Sequence, residues 1–377
     1  MKILLVADEF FAWGVYGGFG AFTRKLGEEL VKRGIEVEAI VHHISDQQKP
    51  PGEYEMISGV RVTTLPRKKL SKIISGELYK TDADIIHSQS GMFDTYLAFK
   101  INKESKKIIT FQDPRTKEEI SFTMQYEAFK GYPWYKAIWG KYVDYLYSKA
   151  VKMADLIACQ AKYKIHLVKK MYNLMKEPIW LPNMVDVPTS SSIKKSDTPM
   201  CIFLGRLDPI KRPEIFCELA KYFPQVDFYL LGKSHFPGRD EALRSRFKNA
   251  NIHFMGFDSG ELKKELLRKA WILINTSIYE CLPVSFLEAC AYKCAILSTQ
   301  NPDDFAKNFG CWANDVESLR KSLEFLLEND RWREFGEKGY NYVRTFHATE
   351  KVISAHINVY KQLLGETNEN FVSVPEI

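Results

Sequence analysis

The residues best suited to chemistry lie in one stretch, Ile278-Tyr279-Glu280-Cys281-Leu282-Pro283-Val284-Ser285-Phe286-Leu287-Glu288-Ala289. An apolar run that reads as a strand ends near Asn275, and Pro283 stands where a helix would begin. The unpaired N–H groups of a helix start suit an anion such as a diphosphate. Glu280 precedes that start and Glu288 lies on the helix's first turns. Both carboxylates can accept hydrogen bonds from vicinal sugar hydroxyls. The same residues also fit a plainer role, a helix cap followed by one exposed glutamate. Spacing alone does not separate the two.

Other segments carry weaker signals. Gly14-Val15-Tyr16-Gly17-Gly18-Phe19-Gly20 would let backbone approach a ligand closely. It lacks the Gly-x-Gly-x-x-Gly spacing of a dinucleotide site, which argues against an oxidoreductase. From Phe122 to Tyr147 the chain is dense in aromatics, among them Phe129, Tyr132, Trp134, Tyr135, Trp139, Tyr142 and Tyr145. Lys130, Lys136, Lys141 and Lys149 are interleaved with them. The segment fits a glycan-stacking or membrane-docking surface, and equally a long helix packed on a sheet. Nucleic acid is a poor partner, because no basic reading helix or RNA-binding signature accompanies the aromatics. Cys290 and Cys294, with Cys281 and Cys311, have no zinc-type spacing and read as small buried residues.

These residues need elements to hold them. Short apolar runs alternate with longer amphipathic segments, the pattern of strand–helix units and parallel sheets. Expected strands are 2–7, 35–41, 84–87, 107–110 and 156–159, then 201–204, 227–231, 252–255, 271–275 and 295–297. Residues 19–33 form a helix closed by Gly34; 316–327, 331–345 and 349–364 are helical. Residues 187–199 are polar, proline-bounded and aperiodic, which marks a linker.

Composition agrees with two ordinary domains: 377 residues, 45% hydrophobic and 27% charged. The net charge of +6 is uneven, with 28 Lys+Arg against 21 Asp+Glu over residues 1–185 and 25 against 26 beyond. A basic first half suits a phosphate-bearing acceptor or an anionic membrane face, or is ordinary solvated surface. Seven cysteines, an odd number, fit reduced thiols. No apolar run is long enough to span a bilayer, so the expected location is cytoplasmic, with peripheral contact at the inner membrane face left open.

Two glutamates with seven residues between them, within Glu-Cys-Leu-Pro-Val-Ser-Phe-Leu-Glu-Ala, resemble the signature of glycosyltransferase family 4. Four further stretches resemble that family in the same order: Gly17-Gly18, Asp84-Ile85-Ile86-His87, Pro182-Asn183-Met184-Val185-Asp186, and Gly205-Arg206-Leu207-Asp208-Pro209-Ile210-Lys211. The resemblance implies an α/β GT-B fold, two doubly wound Rossmann-like domains facing a central cleft. Residues 1–188 would bind the acceptor and 196–345 the nucleotide sugar, with a helix at 349–364 crossing back to the first domain.

The implied reaction is retaining, metal-independent transfer of a hexosyl unit to a glycan, lipid-linked or small-molecule acceptor. A nucleoside-diphosphate sugar is the donor, UDP in preference to GDP, and no cofactor takes part. By the resemblance Glu280 contacts the donor sugar, Glu288 holds the ribose hydroxyls, and Arg206 and Lys211 grip the diphosphate. Two fixed cations and helix amides can stabilise the charge that develops there. Gly17, Gly18, Cys281, Leu282, Pro283 and Phe257 complete the expected donor side. On the acceptor side stand His87, Gln112 and Asp113, the last a candidate for orienting the acceptor. His87 reads equally as a satisfied core histidine.

The chain departs from the family pattern in places. Gln112 and Gln89 stand where relatives often have histidine, and glutamine takes no proton near neutral pH. Cys281 and Lys293 replace glycines, and Ala295 a proline. Asp82-Ala83-Asp84 resembles the metal-binding Asp-x-Asp of the other large glycosyltransferase fold, but reads as a cluster at a strand start. Two rivals follow: a degenerate GT-B protein that binds a nucleotide sugar without transfer, and a GT-B-like nucleotide-sugar epimerase or phosphorylase.

Overall fold

Runs of Val, Ile, Leu and Phe, too short for helices and buried on both faces, build two largely parallel sheets. The structure is a computed structural model. It describes residues 1–13, 17–66, 68, 71, 75–89, 93–126 and 134–366, without the side chains of 134–139.

The first sheet contains β1 (Lys2–Val6), β2 (Glu36–His42), β3 (Tyr54–Ile57), β4 (Val60–Leu65), β5 (Ile85–Ser88), β6 (Lys106–Phe111), β7 (Leu156–Cys159) and β8 (Ile179–Trp180). Their order is 3-4-2-1-5-6-7-8, and only β3 and β4 pair antiparallel. Ser58 and Gly59 join those two with positive φ at both positions, the backbone of a tight hairpin. That hairpin is absent from the sequence expectations. Leu5, Val37, Val62 and Ile108 pack on one face of the sheet with Val352, Ile353 and Tyr360 of the helix Thr349–Leu363. Val6, Ile86, Ile109 and Phe99 pack on the other.

The second sheet contains β9 (Met200–Leu204), β10 (Asp227–Leu231), β11 (Ile252–Gly256), β12 (Ile272–Asn275), β13 (Ala295–Ser298) and β14 (Gly310–Trp312), in the order 11-10-9-12-13-14. Its core holds Phe203, Phe216, Phe228 and Ile274, with Trp271 stacked on Trp332 at 4.8 Å.

Two units result. The chain from Glu350 groups with the first, the unit to which a helix at 349–364 was expected to cross back. The segment from Arg115, including the helix Lys117–Thr123, groups with the second unit, whereas the range 1–188 had kept it in the first. The linker is irregular as expected, yet it is tied down. Ser196 N–H donates to Lys269 O at 3.1 Å, Trp271 Nε1 donates to Ser196 O at 2.9 Å, and Lys195 Nζ reaches the carbonyl of Ala270. Among the described residues, no helix is long and apolar enough to cross a membrane.

Candidate functional site

In parallel sheets of this kind ligands meet the carboxyl ends of the strands. In the second unit those ends carry the charged candidates. β12 ends at Asn275 and leads through Thr276–Pro283 into the helix Val284–Ala291. Pro283 is the N-cap with φ −69°, and no side chain caps the helix. Its first turn thus keeps the amide-rich character expected of an anion site.

The Glu280 side chain is only 9% exposed at this start, and its Oε1 accepts from three donors: Lys211 Nζ at 2.6 Å, Ser277 Oγ at 2.6 Å and Asn275 Nδ2 at 3.0 Å. Burial pushes the Glu280 carboxyl up, but Lys211, Ser277 and Asn275 outweigh it and leave it below the usual carboxylate range. Lys211 reaches Glu280 from the short 3-10 turn Pro209–Lys211 after β9. The sequence expectation assigned Lys211 and Glu280 to different parts of one ligand; the structure joins them as an ion pair.

Arg206 and Glu288 have other partners. Arg206 Nη1 lies 3.0 Å from the buried carboxylate of Asp208 and 3.0 Å from His235 Nδ1. Glu288 pairs with Lys263 at 2.7 Å, on the helix Glu261–Lys269. Phe257 follows β11 and is exposed, Cys281 and Leu282 are buried, and Pro283 is half-buried. Leu282 therefore offers a ligand main chain rather than side chain.

The two glycine replacements resolve differently. Cys281 is not among the positive-φ residues, so thiol for hydrogen leaves that backbone unstrained. Lys293 does adopt the left-handed φ of +60° that a glycine would favour. Its Nζ is held by Ser190 Oγ at 2.6 Å and Glu337 at 2.7 Å, which offsets the strain. The turn also packs tightly: a Cβ on Gly336 would sit 2.2 Å from Lys293 O.

Arg212 escaped the sequence reading. It adopts φ +47° and donates through Nε to Thr276 O at 2.6 Å and through Nη2 to Ser277 O and Thr299 Oγ1 at 3.2 Å. Burial lowers its pKa. It fastens the Lys211 turn to the Glu280 loop. The adjacent Lys-Arg pair and the Thr276-Ser277 turn were the available signals, but neither names the carbonyls it meets.

In the first unit the candidates sit otherwise. Gly17 precedes the helix Gly18–Val31, and Gly20 N–H at that start donates to Glu9 Oε1 at 3.1 Å. A Cβ on Gly17 would meet the same oxygen at 2.1 Å. A carboxylate of the chain itself thus lies against the Gly17 backbone that was expected to approach the donor. Gly14, Val15 and Tyr16 lie outside the described residues.

His87 is a core histidine, with Nδ1 2.7 Å from Tyr360 Oη and Nε2 2.7 Å from Thr110 Oγ1. Burial, then neighbouring His356, pushes its pKa well down. Both nitrogens are engaged inside the unit, which removes His87 from the acceptor side. Gln112 is buried just past β6, and Asp113 beside it is half-buried. Asp82 and Asp84 bind Lys2, through Nζ at 2.5 Å and backbone N–H at 2.7 Å, which makes them a strand-start cluster.

The aromatic segment divides. Tyr147 is buried against Phe111 and Tyr172, whereas Phe122, Tyr142 and Tyr145 are exposed. Phe129, Lys130 and Tyr132, and the side chains of Trp134, Tyr135, Lys136 and Trp139, lie outside the described residues. Burial pushes up the thiols of Cys290, Cys294 and Cys311, which suits packing rather than reactivity.

Residues 189–342 match the family model described as glycosyl transferases group 1. That range includes Arg206, Lys211, Glu280 and Glu288. No curated protein matches the sequence. Among solved structures, sucrose-phosphate synthase from Thermosynechococcus elongatus aligns with a TM-score of 0.72 at 16% identity, covering 97% of this chain and 100% of that one. Anabaena HepE in complex with UDP aligns at 0.73 and 13% identity, covering 96% and 100%. HepE in complex with UDP-glucose gives 0.70 and 12%, again over 96% and 100%. The chain has the GT-B fold. Identities this low carry the fold alone, so the chemistry rests on the residues above.

Proposed function

We propose that this protein is a retaining, metal-independent glycosyltransferase of family 4 that moves a hexosyl unit from a UDP-sugar to a hydroxyl acceptor. The observation that carries this reading is the Lys211–Glu280 ion pair at the uncapped start of the helix Val284–Ala291. Breaking a glycosyl–phosphate bond leaves negative charge on the departing diphosphate. Lys211, Arg206 and the first amides of that helix supply fixed positive character for it, without a divalent ion. Glu280 stays ionised beside Lys211 and accepts from hydroxyls of the transferred sugar. Glu288, held by Lys263, accepts from the ribose hydroxyls. The match of residues 189–342 to glycosyl transferases group 1 supports this assignment, and the UDP and UDP-glucose bound by HepE favour uridine.

The test is incubation with UDP-, GDP- and ADP-glucose and a panel of sugar acceptors, with and without EDTA. Released nucleoside diphosphate and the anomeric signal of the product are read by NMR. Transfer should survive EDTA with the anomeric configuration kept. Glu280→Ala should lower turnover by about 10²–10³-fold. Tight nucleotide-sugar binding with neither release nor transfer would instead favour the degenerate donor-binding protein.

A further inference from the structure

In the second unit the turn after β9 and the loop after β10 run against each other, main chain to main chain. Gly205 N–H donates to Leu231 O at 3.2 Å, and Leu207 N–H donates to Lys233 O at 3.2 Å. A Cβ on Gly232 would stand 1.8 Å from Gly205 O, so glycine is what permits the approach. The approach brings His235, of the second loop, beside Arg206 and Asp208 of the first.

Asp208 is the fixed point of this group. Its side chain is 4% exposed, and its Oδ1 accepts from Ser234 Oγ at 3.0 Å and His235 N–H at 2.8 Å. Its Oδ2 lies 3.0 Å from Arg206 Nη1 and 3.3 Å from His235 Nδ1. The two basic side chains are far more open, at 46% and 55% exposure, so water and a ligand reach both. Arg206 Nη1 also lies 3.0 Å from His235 Nδ1. A guanidinium only donates, so this bond requires a lone pair on Nδ1 and a neutral ring protonated at Nε2.

That arrangement has an alternative in the same place. A proton on Nδ1 removes the acceptor that Arg206 uses and turns the contact with Asp208 Oδ2 into an ion pair. One carboxylate oxygen thus has two cations in reach, and a single proton decides which it keeps. Other charges near the ring are already committed. Asp240, on the helix Arg239–Arg246, accepts from Ser234 N–H at 2.9 Å, and Arg239 pairs with Glu214. Lys233 precedes Ser234 and is exposed. Among the described residues, Asp208 is the carboxylate that pairs with His235. With the ring neutral, Arg206 and Asp208 cancel; with it protonated, the group carries one net positive charge.

We propose that His235 is a proton-controlled contact for the donor's diphosphate. Neutral, it holds Arg206 against Asp208. Protonated, it takes Arg206's place on Asp208 and leaves two cations to face the phosphates. Histidine is the side chain that makes this exchange between pH 5 and 8. Linkage then runs both ways: acid strengthens donor binding, and donor binding draws a proton onto the ring. The proposal rests on the glycosyltransferase reading and adds a regulation to its donor site.

Calorimetry on the full chain with UDP-, GDP- and ADP-glucose, at constant ionic strength, tests both directions. The phosphates of a nucleotide sugar do not titrate in this range. Proton uptake, read from how the binding heat varies with buffer ionisation enthalpy, therefore belongs to the protein. The nucleotide sugar that binds should bind about three- to tenfold tighter at pH 6 than at pH 8. Binding should take up a proton, at most about one per ligand. In His235→Asn, which offers Arg206 an oxygen but takes no proton, the uptake and the gain at pH 6 should both disappear. His235→Lys, charged at both pH values, should bind tightly at both with no uptake, which a merely structural role would not produce. Melting temperatures confirm that the variants fold. Uptake that is absent in wild type, or equal in His235→Asn, would overturn the proposal while leaving donor binding intact. A wild-type chain that binds no nucleotide sugar at either pH would overturn the glycosyltransferase reading itself.

Discussion

The two sheets present loops at the same place, the carboxyl ends of parallel strands, with opposite chemistry. In the second unit each charged candidate has an ionic partner: Lys211 with Glu280, Arg206 with Asp208, Glu288 with Lys263. In the first unit the corresponding ends of β5 to β7 hold neutral amides around a neutral histidine, and two oxygens go unpaired. One fold thus makes two kinds of surface. Paired charges can exchange partners with a charged ligand at modest expense, because the site is already organised for charge.

The largest effect should come from breaking the ionic side. Lys211→Met leaves Glu280 buried without its cation, which should remove about 3–5 kcal/mol of stability at pH 7. Glu280 has a lowered folded pKa, so its contribution is present above the unfolded value near 4.3 and lost as pH falls through the folded one. The variant's deficit should therefore shrink toward pH 4, as the orphaned carboxyl takes up a proton. Urea denaturation at the two pH values reads this directly, and adding Glu280→Gln should restore most of the loss. A single variant within 1 kcal/mol of wild type (roughly the worth of an exposed pair) would break the contrast.

The neutral side should fail in a different pH window. His356 is fully buried near His87, and burial lowers its pKa from 6.5 to about 4 despite the bond to Val352 O. A histidine with a depressed folded pKa is protonated first in the unfolded chain. Stability is then full above pH 6.5 and is lost as pH falls from there toward 4. That is about 3 kcal/mol over the interval for His356, and His87 adds to the slope in the same direction. Denaturation midpoints from pH 7 to 4 should fall in wild type and fall less steeply in His356→Leu. An unchanged slope would show that the pair is hydrated rather than buried.

A smaller effect sharpens the ionic side's geometry. Arg212→Met keeps the stem and removes the donors to Thr276 O and Ser277 O. A loss of about 2 kcal/mol is expected, together with weaker nucleotide binding as the Lys211 turn and the Glu280 loop come apart. Weaker stability with unaltered nucleotide affinity would confine Arg212 to a structural role.

Much of this contrast was legible in the sequence, for a physical reason. Glu280, Glu288, Arg206 and Lys211 act through local features, a strand end and a helix start, and short-range pattern marks such places. The core strands followed from apolar runs, and the helix 316–327 came out to the residue. Partners did not follow. Lys263 meets Glu288 from another helix, Arg212 meets carbonyls 64 and 65 residues away, and Gln160 lies 48 residues from Gln112. Only the sheet order brings these together. The β3–β4 hairpin was readable from Ser58-Gly59 but interrupts the strand–helix rhythm that guided the reading. His87 showed the limit most clearly, since burial turned a candidate ligand into core.

The smallest expected change is the most discriminating. Gln160→Met removes a buried carbonyl oxygen that has no partner and one hydrogen bond to the Gln112 carbonyl. The two terms have opposite sign and similar size, each about 1 kcal/mol. Stability without ligand should therefore change by less than about 1 kcal/mol, where Lys211→Met loses several times that. Thermal unfolding of the free chain measures it. A loss near 3 kcal/mol would mean that Gln160 Oε1 is already satisfied, by ordered water inside the fold. The amide row would then be a packed polar core like that around His87, and the contrast between the two sheets would reduce to one of charge alone.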